Sequence, residues 1–169
     1  MESRAKAAGH SIHQQLVAFP LGLLAMAVVF DVIGLLSSNG AFTSAAYLMV
    51  AAGILTGLLA AVFGSIDLAA VPNGTRAKRI GQLHAAGNIV MIVLFAASWF
   101  LRGSTPENAP GTAALVLELL AVAAALGAGW LGGELVGRLG VGVDDGANLD
   151  APADFTTGIF LRHRSPRAS

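Results

Sequence analysis

LVAFPLGLLAMAVVFDVIGLL, residues 16–36, is broken only by Pro20 and Asp31. It has the roughly twenty apolar residues that a helix needs to cross the hydrocarbon core of a bilayer. Three further runs of similar length follow, from about Ala45 to Val71, from Leu83 to Leu101, and from about Thr112 to Val136. No water reaches that depth to satisfy backbone N–H and C=O groups, so each run is expected as a helix. Alternating strand patterning is absent, which argues against a β-barrel. The fold expected is an all-α integral membrane protein, a four-helix up-down transmembrane bundle over residues 13–138. Residues 1–12 and the polar tail 139–169 flank it.

Composition agrees. Of the 169 residues, 55% are hydrophobic and 12% charged, against about 25% charged in soluble domains. There is no cysteine, which excludes disulfides, thiolate-held iron–sulfur clusters and covalent c-type haem attachment. Arg4 and Lys6 precede the first run as they would in a secretory leader. That run is longer than the usual apolar stretch of about 7–15 residues, and it carries Pro20 and Asp31, so it reads as a retained span.

The connections are short. SSNGAFTS (37–44) is an uncharged turn, and VPNGTRAKR (71–79) and RGSTPENAPG (102–111) are Pro/Gly-marked loops. In the tail, FTTGIFL (155–161) reads equally as a short strand or an interfacial anchor. With four spans, Arg4, Lys6, Arg76, Lys78, Arg79, Arg138, Arg162, Arg164 and Arg167 fall on one face and only Arg102 on the other. The positive-inside rule then places both termini in the cytoplasm of a bacterial inner membrane. The basic loop is explained by this topology and by anionic lipid, and no nucleic-acid partner is expected.

Intramembrane ionisable residues are costly, and each is a functional hypothesis by default. His13 starts the first span, Asp67 ends the second, His84 starts the third, and Glu134 with Arg138 ends the fourth. Up-down connectivity gathers these five at the cytoplasmic side. Asp31 and Glu118 form a second polar group toward the other surface. His13 and Asp31 are five full turns apart and share a helix face. Pro20 is expected to kink the first span and free a carbonyl. Asn88 lies on the same face as His84, and Asp67 and Glu134 are placed to accept imidazole N–H groups. The small-residue patterns GILTG (53–57) and GAGWLGGELVGRLG (127–140) allow close helix approach or make room for a flat ligand.

HQQLVAFPLGLL (13–24), GSID (64–67), PNGTRAKRIGQLHAAGN (72–88) and GWLGGELVGRLGVGV (129–143) together resemble the bacterial membrane family known as domain of unknown function 2231. The resemblance covers roughly residues 10–143. Members typically open His-Pro-x-Leu-Val-His-Phe-Pro, where this chain has Gln14 after His13 and Ala18 at the second histidine. The closing motif commonly runs Tyr-Arg-His-Gly-Val-Gly-Val, where this chain has Gly137 and Leu139 at the Tyr and His positions. His13 and His84 are then the one remaining histidine pair.

Three functional readings stay open at this level. Two neutral imidazoles on different helices suit bis-histidine ligation of a non-covalent haem b, and His13 and His84 with Asp67 and Glu134 suit a transition metal. Either makes an electron-transfer or metal-binding protein with redox proteins or other membrane proteins as partners. Alternatively, Asp31, Glu118, Asp67 and Glu134 serve as relay groups of a small ion- or proton-linked transporter. In the third reading the polar residues serve helix packing in an accessory subunit. No nucleophile motif, phosphate-binding loop or H-E-x-x-H occurs, so hydrolase and kinase chemistry are not supported.

Overall fold

A computed structural model describes residues 1–151; FTTGIFL lies outside them. A two-stranded antiparallel ribbon, β1 (Lys6–Ala7) with β2 (His10–Ser11), leads into a short helix α1 (Ile12–Leu16). Four long helices follow: α2 (Ala18–Ser37), α3 (Gly40–Ala70), α4 (Arg76–Arg102) and α5 (Thr112–Gly137). With α1 and α2 counted as one, four segments are long and apolar enough to cross a membrane. Their outer faces confirm the inversion expected in lipid. Leu48, Leu55, Phe100, Leu126 and Trp130 are 68–74% exposed, an apolar surface no soluble monomer presents.

Local chemistry sets the helix ends. Asn39 caps α3 by accepting from Ala41 N at 3.1 Å, and Thr75 caps α4 by accepting from Lys78 N at 3.1 Å. The second cap corrects a boundary. Arg76, Lys78 and Arg79 belong to the first turn of α4 rather than to the preceding loop, because the Thr75 hydroxyl starts the helix ahead of them. Their charge opposes the helix dipole there, and two of them are compensated. Lys78 Nζ donates to the Leu68 carbonyl at the end of α3, and Arg76 pairs with Glu134 at 2.6 Å. Pro20 sits in the first turn of α2. It has no N–H for the Leu16 carbonyl, and the break between α1 and α2 falls at Val17, within that interrupted turn.

Side-chain contacts fix the up-down order. Glu107, between α4 and α5, accepts through its carbonyl from Thr43 and Ser44 at the start of α3, so those loops share one end. His13, Asp67, His84 and Glu134 lie at the other end, here called the terminal end.

The two halves repeat. An offset of 71 residues carries the buried Pro20, Leu24, Ala27 and Asp31 of α2 onto the buried Met91, Phe95, Ser98 and Arg102 of α4, and His13 onto His84. An offset of 68 carries the buried Ala46, Val50, Gly53, Ala60 and Asp67 of α3 onto the buried Ala114, Glu118, Ala121, Ala128 and Leu135 of α5. Both hairpins start from the terminal end, so they are related by a pseudo-two-fold axis along the bundle, the parallel kind of repeat. The core includes Leu24, Val50, Met91, Phe95 and Ala121, so all four long helices contribute to it. One departure from symmetry matters. The α3–α4 seam is packed, whereas its equivalent between α2 and α5 is sparse and leaves an apolar groove of about 340 Å³ lined by Pro20, Leu24, Phe95, Gly129 and Trp130.

Candidate functional site

His13 and His84 meet across the pseudo-axis at the terminal end. Their ring centroids are 6.4 Å apart and their planes are perpendicular. Each imidazole is held by the neighbouring helix in the same way. His13 Nδ1 donates to the Ala60 carbonyl and His84 Nδ1 to the Ala128 carbonyl, both at 2.8 Å. Four residues beyond each carbonyl stands a glycine. A Cβ at Gly64 would lie 2.8 Å from His13 Cε1, and one at Gly132 would lie 3.1 Å from His84 Cε1. The missing side chains let each ring reach the helix backbone, so these glycines make room for imidazoles rather than directly for a flat ligand.

A carbonyl only accepts, so Nδ1 carries a proton on both rings, and in the neutral imidazole Nε2 carries the lone pair. The Asn88 amide bonds His84 Nε2 at 3.2 Å and the His84 carbonyl at 2.9 Å. His13 Nε2 has no protein partner among the described residues.

The carboxylates expected beside the histidines are occupied elsewhere. Asp67 accepts from Ser3 Oγ at 2.9 and 2.8 Å, from Arg4 N at 2.7 Å and from Ala5 N at 3.2 Å. It clasps the N-terminal segment to the end of α3, and it pairs with neither Arg76 nor Arg79. Glu134 is bonded by Arg76 at 2.6 Å and by Arg138 at 3.3 Å. The placement of Asp67 and Glu134 as imidazole acceptors is therefore corrected. Backbone N–H groups and guanidinium ions at the membrane end are stronger partners for a carboxylate than a neutral imidazole. Among the described residues no group of three or more His, Cys, Asp or Glu side chains is arranged to hold a metal ion, so the four-ligand set His13, His84, Asp67, Glu134 does not form.

The far end holds a second cluster. Asp31, Arg102 and Glu118 are all 0% exposed. Arg102 Nη2 and Nη1 bond Asp31 at 2.6 and 2.7 Å, Nη1 also bonds Glu118 at 2.8 Å, Nη2 reaches the Thr43 carbonyl and Nε the Asn108 carbonyl. Ser98 Oγ donates to Glu118 Oε1 at 2.6 Å. Arg102 is the residue that reading the sequence missed, since it looks like a loop cation following a span. One signal was available. His84 and Arg102 repeat the eighteen-residue spacing of His13 and Asp31.

No curated protein and no solved structure matches the chain. The family model described as "Predicted membrane protein (DUF2231)" matches residues 9–145, from the ribbon ahead of the first span to the turn beyond α5. The protein therefore belongs to this family of predicted membrane proteins.

Proposed function

We propose that the protein is a small multi-pass bacterial inner-membrane protein whose His13–His84 pair holds a non-covalent b-type haem, serving electron transfer. The observation that carries this reading is the tautomer. Both Nδ1 atoms are committed to backbone carbonyls, an orientation typical of ligating histidines, which leaves Nε2 of each ring as the atom that would bind a metal. Two metal–nitrogen bonds of about 2 Å with the two half-rings span roughly 6 Å, close to the 6.4 Å between the ring centroids. The α2–α5 groove, which neither histidine lines, would supply apolar space for the ring edge. Gly129 on its wall is one helical turn from Gly132, on which His84 packs. A haem held there would supply a one-electron couple. His13 and His84 would hold the iron, the core residues Leu24, Met91 and Phe95 would keep water from it, and Asn88 orients His84. Loading requires Asn88 to release Nε2, at a cost of about 1 kcal/mol for one hydrogen bond.

The test is the visible spectrum of detergent-purified protein from haem-supplemented cells. The reduced protein should show the sharp bands of a six-coordinate b-type haem, lost in His13→Ala and His84→Ala alike. A colourless wild type with no iron rejects haem and leaves the accessory-subunit reading.

Both termini are placed in the cytoplasm. Arg102, the only basic residue at the far end, is fully buried, which leaves no exposed basic residue there among the described residues. Alkaline phosphatase fused after Ser169 should be inactive, and inserted within 103–110 it should be active. The reverse pattern overturns the orientation.

A further inference from the structure

The pseudo-symmetry isolates one charge. Asp31 and Arg102 are mates across the axis and neutralise each other. Glu118 has Val50 as its mate, so nothing balances it. The cluster contains two carboxyls and one guanidinium, and among the described residues neither carboxyl has another cationic partner. All three side chains are shut off from solvent and lipid. A buried carboxylate without a counter-charge takes up a proton rather than remain ionised.

We propose that the Asp31–Arg102–Glu118 cluster is a proton-binding site that holds one proton on its two carboxyls at neutral pH, and that Glu118 is the residue that creates it. Two features of the geometry support this beyond charge balance. Arg102 Nη1 donates to Asp31 at 2.7 Å and to Glu118 at 2.8 Å, so one nitrogen holds the two carboxyls together, and like charges sharing a site disfavour the ionisation of both. Glu118 Oε2 is buried with no hydrogen-bond partner, a position that suits a neutral acid far better than a carboxylate.

The groups facing the proton come from every packed element. They are Asp31 on α2, the Thr43 carbonyl on α3, Ser98 and Arg102 on α4, and Glu118 on α5. Tyr47 of α3 lies against Arg102, with the guanidinium carbon 5.9 Å from its ring centroid. The Asn108 carbonyl bonds Arg102 from the connecting loop, and the Glu107 carbonyl bonds Thr43 beside it. The proton is held among these groups at the far end. It neither reaches nor requires the histidine pair, so this site stands apart from the haem reading.

Infrared difference spectroscopy of the full chain in lipid nanodiscs tests the assignment. At neutral pH the wild type should show one protonated-carboxyl C=O band that shifts in heavy water. Glu118→Gln and Asp31→Asn should each abolish it, because each leaves one carboxylate balanced by Arg102. The thermal midpoint of the wild type should fall as pH rises and the proton leaves, whereas that of Glu118→Gln should not. No such band in the wild type, or a band surviving both substitutions, overturns the proposal. So does a wild-type midpoint that rises with sodium but not with choline while the band is absent, which would make the cluster a cation site. The band is read on the wild type, so the test survives if a variant fails to fold.

Discussion

Replacing Arg102 with methionine is expected to destabilise the protein by about 3–5 kcal/mol, the cost of stripping the partner from buried charges. Arg102 donates to both Asp31 and Glu118 and ties in the Thr43 and Asn108 carbonyls. One substitution therefore strips Asp31 of both its hydrogen bonds, leaves Glu118 with Ser98 alone, and removes a donor from two carbonyls. Total stabilities run to about 5–15 kcal/mol, so this is a large fraction. The measurement is the thermal midpoint in detergent, with an expected drop on the order of 10 °C. Asp31→Leu and Glu118→Leu combined with Arg102→Met should recover most of it, since a buried ionic cluster replaced whole by apolar side chains is often neutral or stabilising. A midpoint for Arg102→Met within about 2 °C of the wild type would show that the cluster does not hold the far end together.

Asp67→Ala should free the N-terminal segment while leaving the four spans packed. The carboxylate accepts from Ser3 and from the amides of Arg4 and Ala5, and charge-assisted bonds contribute about 1.5–3 kcal/mol each. A net loss of about 3 kcal/mol raises the open population on the order of 100-fold. The chain has no native cysteine, so a single probe at Ser11→Cys reads this directly. Ser11 is 6% exposed and its hydroxyl has no partner, which makes the replacement benign. Maleimide labelling should accelerate by about that factor in Asp67→Ala while the global thermal midpoint changes little. An unchanged labelling rate would mean that the segment is held by other contacts, such as the Lys6 bonds to Glu2 and Asp144. Those bonds, outweighing partial burial, raise the Lys6 pKa above its ordinary value.

What the amino-acid sequence determined by itself is the class of molecule. Four apolar runs, few charges and no cysteine specify four membrane helices, because transfer into lipid depends on local composition, which a linear string contains in full. The same string placed His13, Asp67, His84 and Glu134 at one end, since helix rise and span number suffice for that. It could not assign partners. Whether an imidazole meets a carboxylate or a carbonyl depends on how each helix is rotated about its own axis. At Ala60–Gly64 and Ala128–Gly132 the outcome turns on an absent Cβ one turn from an acceptor. Arg102 shows the limit most plainly. A basic residue following an apolar run reads as an exposed loop cation, and only the convergence of α2, α4 and α5 turns it into the buried hub between Asp31 and Glu118. The repeat that relates the two halves keeps residue identity at His13 and His84, Ala60 and Ala128, and Gly64 and Gly132, and elsewhere is written in burial alone. Val50 and Glu118, or Asp67 and Leu135, share a position and no chemistry, and it takes the packed bundle to place them together.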